Sequence, residues 1–115
     1  MHLPIDKSIS ALSKQSSPFI KLFTHGSLNI ELYAPHLVDD QKPHTRDEVY
    51  IIVSGSGRFR NGDQIVDFGP KDFLFVPAGV EHKFFDFTDD FCTWVIFYGP
   101  EGGEKAAEYD GVKEQ

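Results

Sequence analysis

"PHTRDEVYIIVSGSG", residues 43–57, sets a histidine four residues ahead of a glutamate, then an apolar run that ends at two glycines. On one uninterrupted strand His44 and Glu48 would share a face, but at ~3.3 Å per residue their Cα atoms would stand ~13 Å apart. Two side chains that meet on one ion at ~2.0–2.2 Å do not easily start from there. Either the pair shares nothing, or the chain turns between them. The residues favour a turn. Pro43 cannot donate to a ladder and holds residue 42 extended. Thr45, Arg46 and Asp47 are polar and turn-compatible, and the β-rich apolar pattern begins only at Val49. His44 is expected to close one strand and Glu48 to open the next, both aimed into the mouth of a barrel.

Downstream the chain reads as short strand, turn, short strand. "EVYIIV" ends at "SGSG", "GRFR" at the hairpin signal "NGD", "QIVDF" at "GPKD", "FLFVP" at "AGVEH" and "KFFDF" at "TDD", with "FCTWVIFYG" last. Upstream, "SPFIKLFT" and "GSLNIELYAP" are further strands; Leu28, Ile30 and Leu32 alternate with Asn29 and Glu31 in the two-residue period of a half-buried sheet. At least seven strands with turn signals every eight to twelve residues predict an all-β barrel or sandwich. "DKSISALSKQ" suits a helical turn or two, or an arm. The tail after residue 98 is charged and Gly-broken, with a short helix around Lys105 to Tyr109 as one reading and a mobile tail as the other. The expected organisation is one domain over 1–115: an N-terminal arm over 1–17, a barrel over about 18–98 and an acidic tail over 99–115.

A third donor comes from "PAGVEH", residues 77–82, where Pro77 and Gly79 build a tight turn and His82 opens the next strand. Two neutral imidazoles and a carboxylate suit a mid-row divalent ion such as Fe, Mn, Ni or Zn, and leave coordination positions open. The same three side chains also suit an ordinary hydrogen-bonded cluster in a barrel without metal.

These residues resemble the two motifs of the cupin superfamily, of the small single-domain, conserved-barrel type. The first motif runs His-x-His, three or four residues, Glu, six residues, Gly, and is matched by His44, Glu48 and Gly55. The second, Gly, a short strand, Pro-x-Gly-x-x-His, three residues, Asn, is matched by Gly69, Pro77, Gly79 and His82, with Asp86 at the Asn position. The resemblance spans about residues 26–98. It implies a double-stranded β-helix, that is, a jelly-roll barrel, and a homodimer. It also implies a divalent metal ion as cofactor and a small molecule as ligand, with oxygenase, isomerase and decarboxylase chemistry all open. One position departs from the pattern: Lys42 stands where the first motif histidine belongs, and an ammonium does not ligate a cation. Gln41, a neighbouring oxygen donor, is the candidate fourth ligand; Lys42 faces solvent or an anionic substrate.

Other residues read more plainly. His2, His25 and His36 match no motif position; His25 reads as a turn residue and His36 as a surface one. Asp47 reads as pointing away from the site and helping the turn, or as a partner for a ligating imidazole. Phe73, Phe75, Phe84, Phe85, Phe91, Trp94, Phe97 and Tyr98 read as core, with only alternate members able to face a cavity. Gly55, Gly57 and Gly79 read as turn formers.

The balance of 11 Lys+Arg against 18 Asp+Glu, a net charge of −7, argues against nucleic acid and anionic membranes as partners. No apolar run spans a bilayer, and lone Cys92 forms no internal disulfide, so a reducing, cytoplasmic setting is expected. Cys92 itself reads as packed and inert. Eleven phenylalanines point to an aromatic interior or a small-molecule pocket. The leading functional reading is a metal-dependent enzyme acting on a small oxygen-rich molecule. The alternative is a non-catalytic sensor of a sugar or small acid, and a metal-free barrel working through its dimer surface is the third.

Overall fold

The computed structural model describes residues 1–105, and the anticipated tail helix, all but Lys105, lies outside them. One helix, α1 (Ile5–Ser13), precedes eight strands: β1 (Phe19–His25), β2 (Leu28–Tyr33), β3 (Asp47–Ser54), β4 (Gly57–Asn61), β5 (Gln64–Phe68), β6 (Phe73–Val76), β7 (His82–Phe85) and β8 (Cys92–Tyr98). They form two antiparallel sheets, ordered β1-β2-β8-β3-β6 and β5-β4-β7. This is the all-β architecture that the strand-and-turn series predicts, in the jelly-roll form that the resemblance implies. The "NGD" stretch makes the two-residue β4–β5 turn, with Asn61 opposite Gln64.

Between the sheets lies an aromatic core. Phe84 sits at its centre, edge-on to Tyr50 (4.8 Å, 81°) and Phe68 (5.2 Å, 76°) and tilted against Phe59 (4.5 Å) and Phe91 (4.6 Å). Each such pair contributes about 0.5–1.5 kcal/mol beyond the burial of its area.

The register of the larger sheet decides which side chains meet the interior. The rows Glu31–Val95–Tyr50–Leu74 and Asn29–Phe97–Glu48–Val76 face the smaller sheet. The intervening rows Leu32–Trp94–Ile51–Phe73 and Ile30–Ile96–Val49–Phe75 face outward. In β2 the apolar set therefore points away from the barrel interior, and Asn29, Glu31 and Tyr33 point in. The outward set is apolar because α1 covers part of it. Leu12 packs with Leu32 and Cys92, flanked by Ile20, Leu22 and Trp94, in a second core. The segment over 1–17 thus carries a helix, Ile5–Ser13, that seals part of the sheet. Burial pushes the Cys92 thiol up to about 11, which keeps it protonated and unreactive. Phe73, expected in the core, is 63 % exposed, because β6 is an edge strand beyond the reach of α1.

Two motif positions carry backbone demands. Gly55 has φ +83°, and a Cβ there would stand 2.5 Å from the Phe91 Cα, so it is a close-approach residue as well as a turn former. Asp86 has φ +51°, a conformation open to Asn and Asp but strained for most side chains. That shared tolerance explains why Asp can stand where the motif has Asn.

Candidate metal centre

The chain does bend after Pro43. Residues 41–44 are irregular, 45–46 form a bend, and β3 begins at Asp47. His44 accordingly closes no strand; it lies in the loop, and Glu48 is the second residue of β3. The loop is fastened to the second motif: the Gly79 N–H donates to the His44 carbonyl at 2.6 Å. Gly79 takes φ +79° in the turn that delivers His82 to the start of β7.

These placements bring His44, Glu48 and His82 together, with one donor atom from each within 4.8 Å of the others. Glu48 Oε1 stands 3.2 Å from His44 Nδ1 and 3.1 Å from His82 Nε2. Neighbouring ligands on one ion at ~2.1 Å are ~3.0–3.4 Å apart for square or tetrahedral angles, so the spacing matches a shared ion. His82 Nδ1 lies 2.9 Å from the Val80 carbonyl, which fixes its proton on that nitrogen and turns the Nε2 lone pair toward Glu48. Glu48 Oε2 and His82 Nε2 are buried without a hydrogen-bond partner. His82 Nε2 and Glu48 Oε1, two lone-pair atoms facing each other at 3.1 Å, call for a positive charge between them, either a proton or a metal ion.

The electrostatics agree. Burial would raise the Glu48 carboxyl, but hydrogen bonds to His44 and His82 outweigh it and hold the group below its ordinary value. Burial would lower His82, but its bonds to Glu48 and Val80 outweigh that and raise it. Tyr50 is pushed well up, first by burial and then by the Glu48 carboxylate, so it remains a donor.

A cavity of about 260 Å³ opens beside the cluster, with Glu31, Tyr33, Gln41, His44, Glu48 and Phe97 in its wall. Phe97 meets the His44 ring edge-on at 4.8 Å. Gln41 lines the cavity, and its Oε1 accepts from the Tyr50 hydroxyl at 3.0 Å while its Nε2 donates to Asp39 at 2.8 Å. One Oε1 lone pair is thereby engaged, and a carbonyl oxygen has two. Lys42 is exposed and absent from the cavity wall, and His2, His25 and His36 are exposed as well.

Asp47 points away from the site, as the first of its two readings has it. It is buried and accepts N–H groups from Ala78 (3.0 Å) and Glu104 (2.8 Å), so it clamps the second motif and the chain after β8 instead of bonding an imidazole. Asp39 was invisible in the sequence, and it is the hub of the loop. It is almost fully buried, and accepts from the Tyr33 hydroxyl, the Gln41 N–H and side chain, and the Phe84 N–H, at 2.7–3.1 Å. Its one sequence signal is the Asx-type spacing to Gln41, two residues on. Glu31, read from its alternation as a polar strand position, is a cavity residue.

Residues 29–98 match the family model of the cupin domain. An uncharacterised protein of Streptomyces coelicolor is 30% identical over 99 residues, covering 84% of this chain and 94% of its own length. Among solved structures, a cupin-2 domain containing protein from Shewanella frigidimarina superposes with a TM-score of 0.67 at 19% identity, covering 84% of this chain and 94% of that one. A protein from Neisseria meningitidis gives 0.70 at 15% identity, covering 86% and 100%.

Proposed function

We propose, from the premise that this chain belongs to the cupin domain family, that it binds one divalent metal ion through His44, Glu48 and His82 and uses it on a small oxygen-rich molecule. Gln41 Oε1 is the candidate fourth ligand. Fe, Mn, Ni and Zn all suit two imidazoles and a carboxylate. The observation that carries the reading is the convergence of one donor atom each from His44, Glu48 and His82 within 4.8 Å beside a cavity, with Glu48 Oε2 buried and unpartnered. A cluster built only for packing would not leave Glu48 Oε2 unmet, because an unmet buried polar group costs about 1–3 kcal/mol.

The ion, when bound, supplies a Lewis acid for a substrate oxygen. The protein's part is orientation and exclusion of water. Val80 fixes the His82 tautomer, Phe97 braces His44, and Tyr50 holds Gln41 at the cavity wall. The reaction is of the oxygenase, isomerase or decarboxylase type. The same proposal includes one cupin domain over 1–115. It also includes a homodimer, supported by the outward apolar face around Ile51 and Phe73.

Metal analysis of untagged protein tests the reading: about one ion per chain is expected, lost in His82→Ala and retained in His36→Ala. No metal above background in the unaltered protein, after loading with each of the four ions, would refute it. Oxygen uptake and turnover over a panel of diketones, keto acids and sugars then separates enzyme from sensor; binding without turnover would make this a non-catalytic binding cupin.

A further inference from the structure

The cavity has two unlike ends. At one end stand His44 and Glu48, with His82 behind them. Glu31 marks the other: its row lies two residues along and two strands away, on the order of 10 Å between Cα atoms by sheet spacing. Asn29 Nδ2 donates to Glu31 Oε2 at 2.8 Å and sets the orientation of the carboxylate. Phe19, Tyr33 and Phe97 add aromatic rings to the wall, and neither Lys nor Arg contributes to it. The neighbouring cations lie outside the wall, although Lys21, directly opposite Glu31, shares its face of the sheet. Arg46 donates to the Ser27 and Gly99 carbonyls, Lys42 is exposed, and Lys21, opposite Glu31 on β1, is exposed too. Among the described residues, neither Lys21 nor Glu31 takes part in an ion pair. An anionic headgroup at this end would meet a carboxylate in a wall that holds no cationic side chain. An ammonium would meet that carboxylate and aromatic faces, a pairing that favours cations, quaternary ones above all.

We infer that the cavity selects small organic cations, an ammonium group joined to an oxygen donor, with Glu31 as the specificity-determining residue. The inference rests on the metal reading only for the oxygen end; the ammonium end stands on Glu31 and the aromatic wall. A volume of about 260 Å³ holds the equivalent of roughly eight or nine waters at ~30 Å³ each, which suits such a ligand.

The test uses three probes of one shape class: choline, its uncharged isostere 3,3-dimethylbutan-1-ol, and the anion 2-hydroxyethanesulfonate. Each is titrated calorimetrically into metal-loaded and metal-free full-length protein. Choline is expected to bind about tenfold or more tighter than the alcohol, and the sulfonate weakest. Glu31→Gln should erase choline's advantage, and Glu31→Lys should favour the sulfonate. The inference is overturned if the alcohol or the sulfonate matches choline, if choline's advantage survives in Glu31→Gln, or if none of the three binds at millimolar concentration. Stoichiometric metal without choline preference would sink this inference alone. Choline preference in a chain that takes up no metal would sink the metal reading alone.

Discussion

Replacing Asp39 with alanine removes a carboxylate that no solvent replaces. Four donors lose their acceptor: the Tyr33 hydroxyl, the Phe84 N–H and two groups of Gln41. Gln41 is partly exposed and can turn to water, whereas Tyr33 and Phe84 are buried. Each buried orphan costs about 1–3 kcal/mol, so the expected loss is roughly 3–5 kcal/mol, a large part of a domain's ~5–15 kcal/mol. The Phe84 N–H matters most, since β7 is an edge strand and Asp39 stands where a neighbouring strand would otherwise accept. Urea unfolding measures the effect, read as a fall in midpoint of roughly 2 M at an unchanged slope near 2 kcal/mol/M. The adjacent, exposed Asp40 is the control: Asp40→Ala should change stability by no more than about 0.5 kcal/mol. Equal effects from the two alanines would refute the account of Asp39 as the joint between the loop and both sheets.

Stability should depend on pH in opposite senses with and without metal. Glu48, held below 4.5, contributes stability that is present above that pH and lost as pH falls through its folded value; His82, raised above 6.5, contributes stability present below 6.5 and lost as pH rises through its folded value. Metal-free protein should therefore melt highest between about pH 4.5 and 6.5, while added metal should stabilise increasingly above that window, because ligation needs unprotonated imidazoles. Parallel melting curves in chelator and in excess metal would contradict this. Gly55→Ala should cost roughly 2–4 kcal/mol in chemical denaturation, from left-handed backbone strain and contact with the Phe91 backbone. Phe73→Lys should turn a dimer into a monomer by sedimentation while leaving the melting of the monomer's core unchanged in cooperativity.

The turns and strands were legible because Gly, Pro and Asn-Gly punctuate them and because the apolar runs between are strand-length. His44, Glu48 and His82 could be named because their spacing is tied to a bend and a tight turn, both local. The facing of β2 could not be read. Alternation gives two faces, and usually the apolar one is inside; here α1 supplies a second apolar layer, and Asn29 and Glu31 take the interior. Asp39 escaped because its four partners come from Tyr33, Gln41 and Phe84, and nothing near it in the chain announces Phe84. The clamp that Asp47 makes was hidden for a similar reason, since Glu104 lies 57 residues away.

A sheet greased on both sides has a consequence for how such a protein changes over time. Two separate apolar reservoirs, one under the helix and one between the sheets, hold the chain together. The polar rim at Glu31 lies outside both reservoirs. A library randomising Glu31 should yield mostly folded members with altered ligand preference, so new chemistry can be tried on this frame without first endangering it.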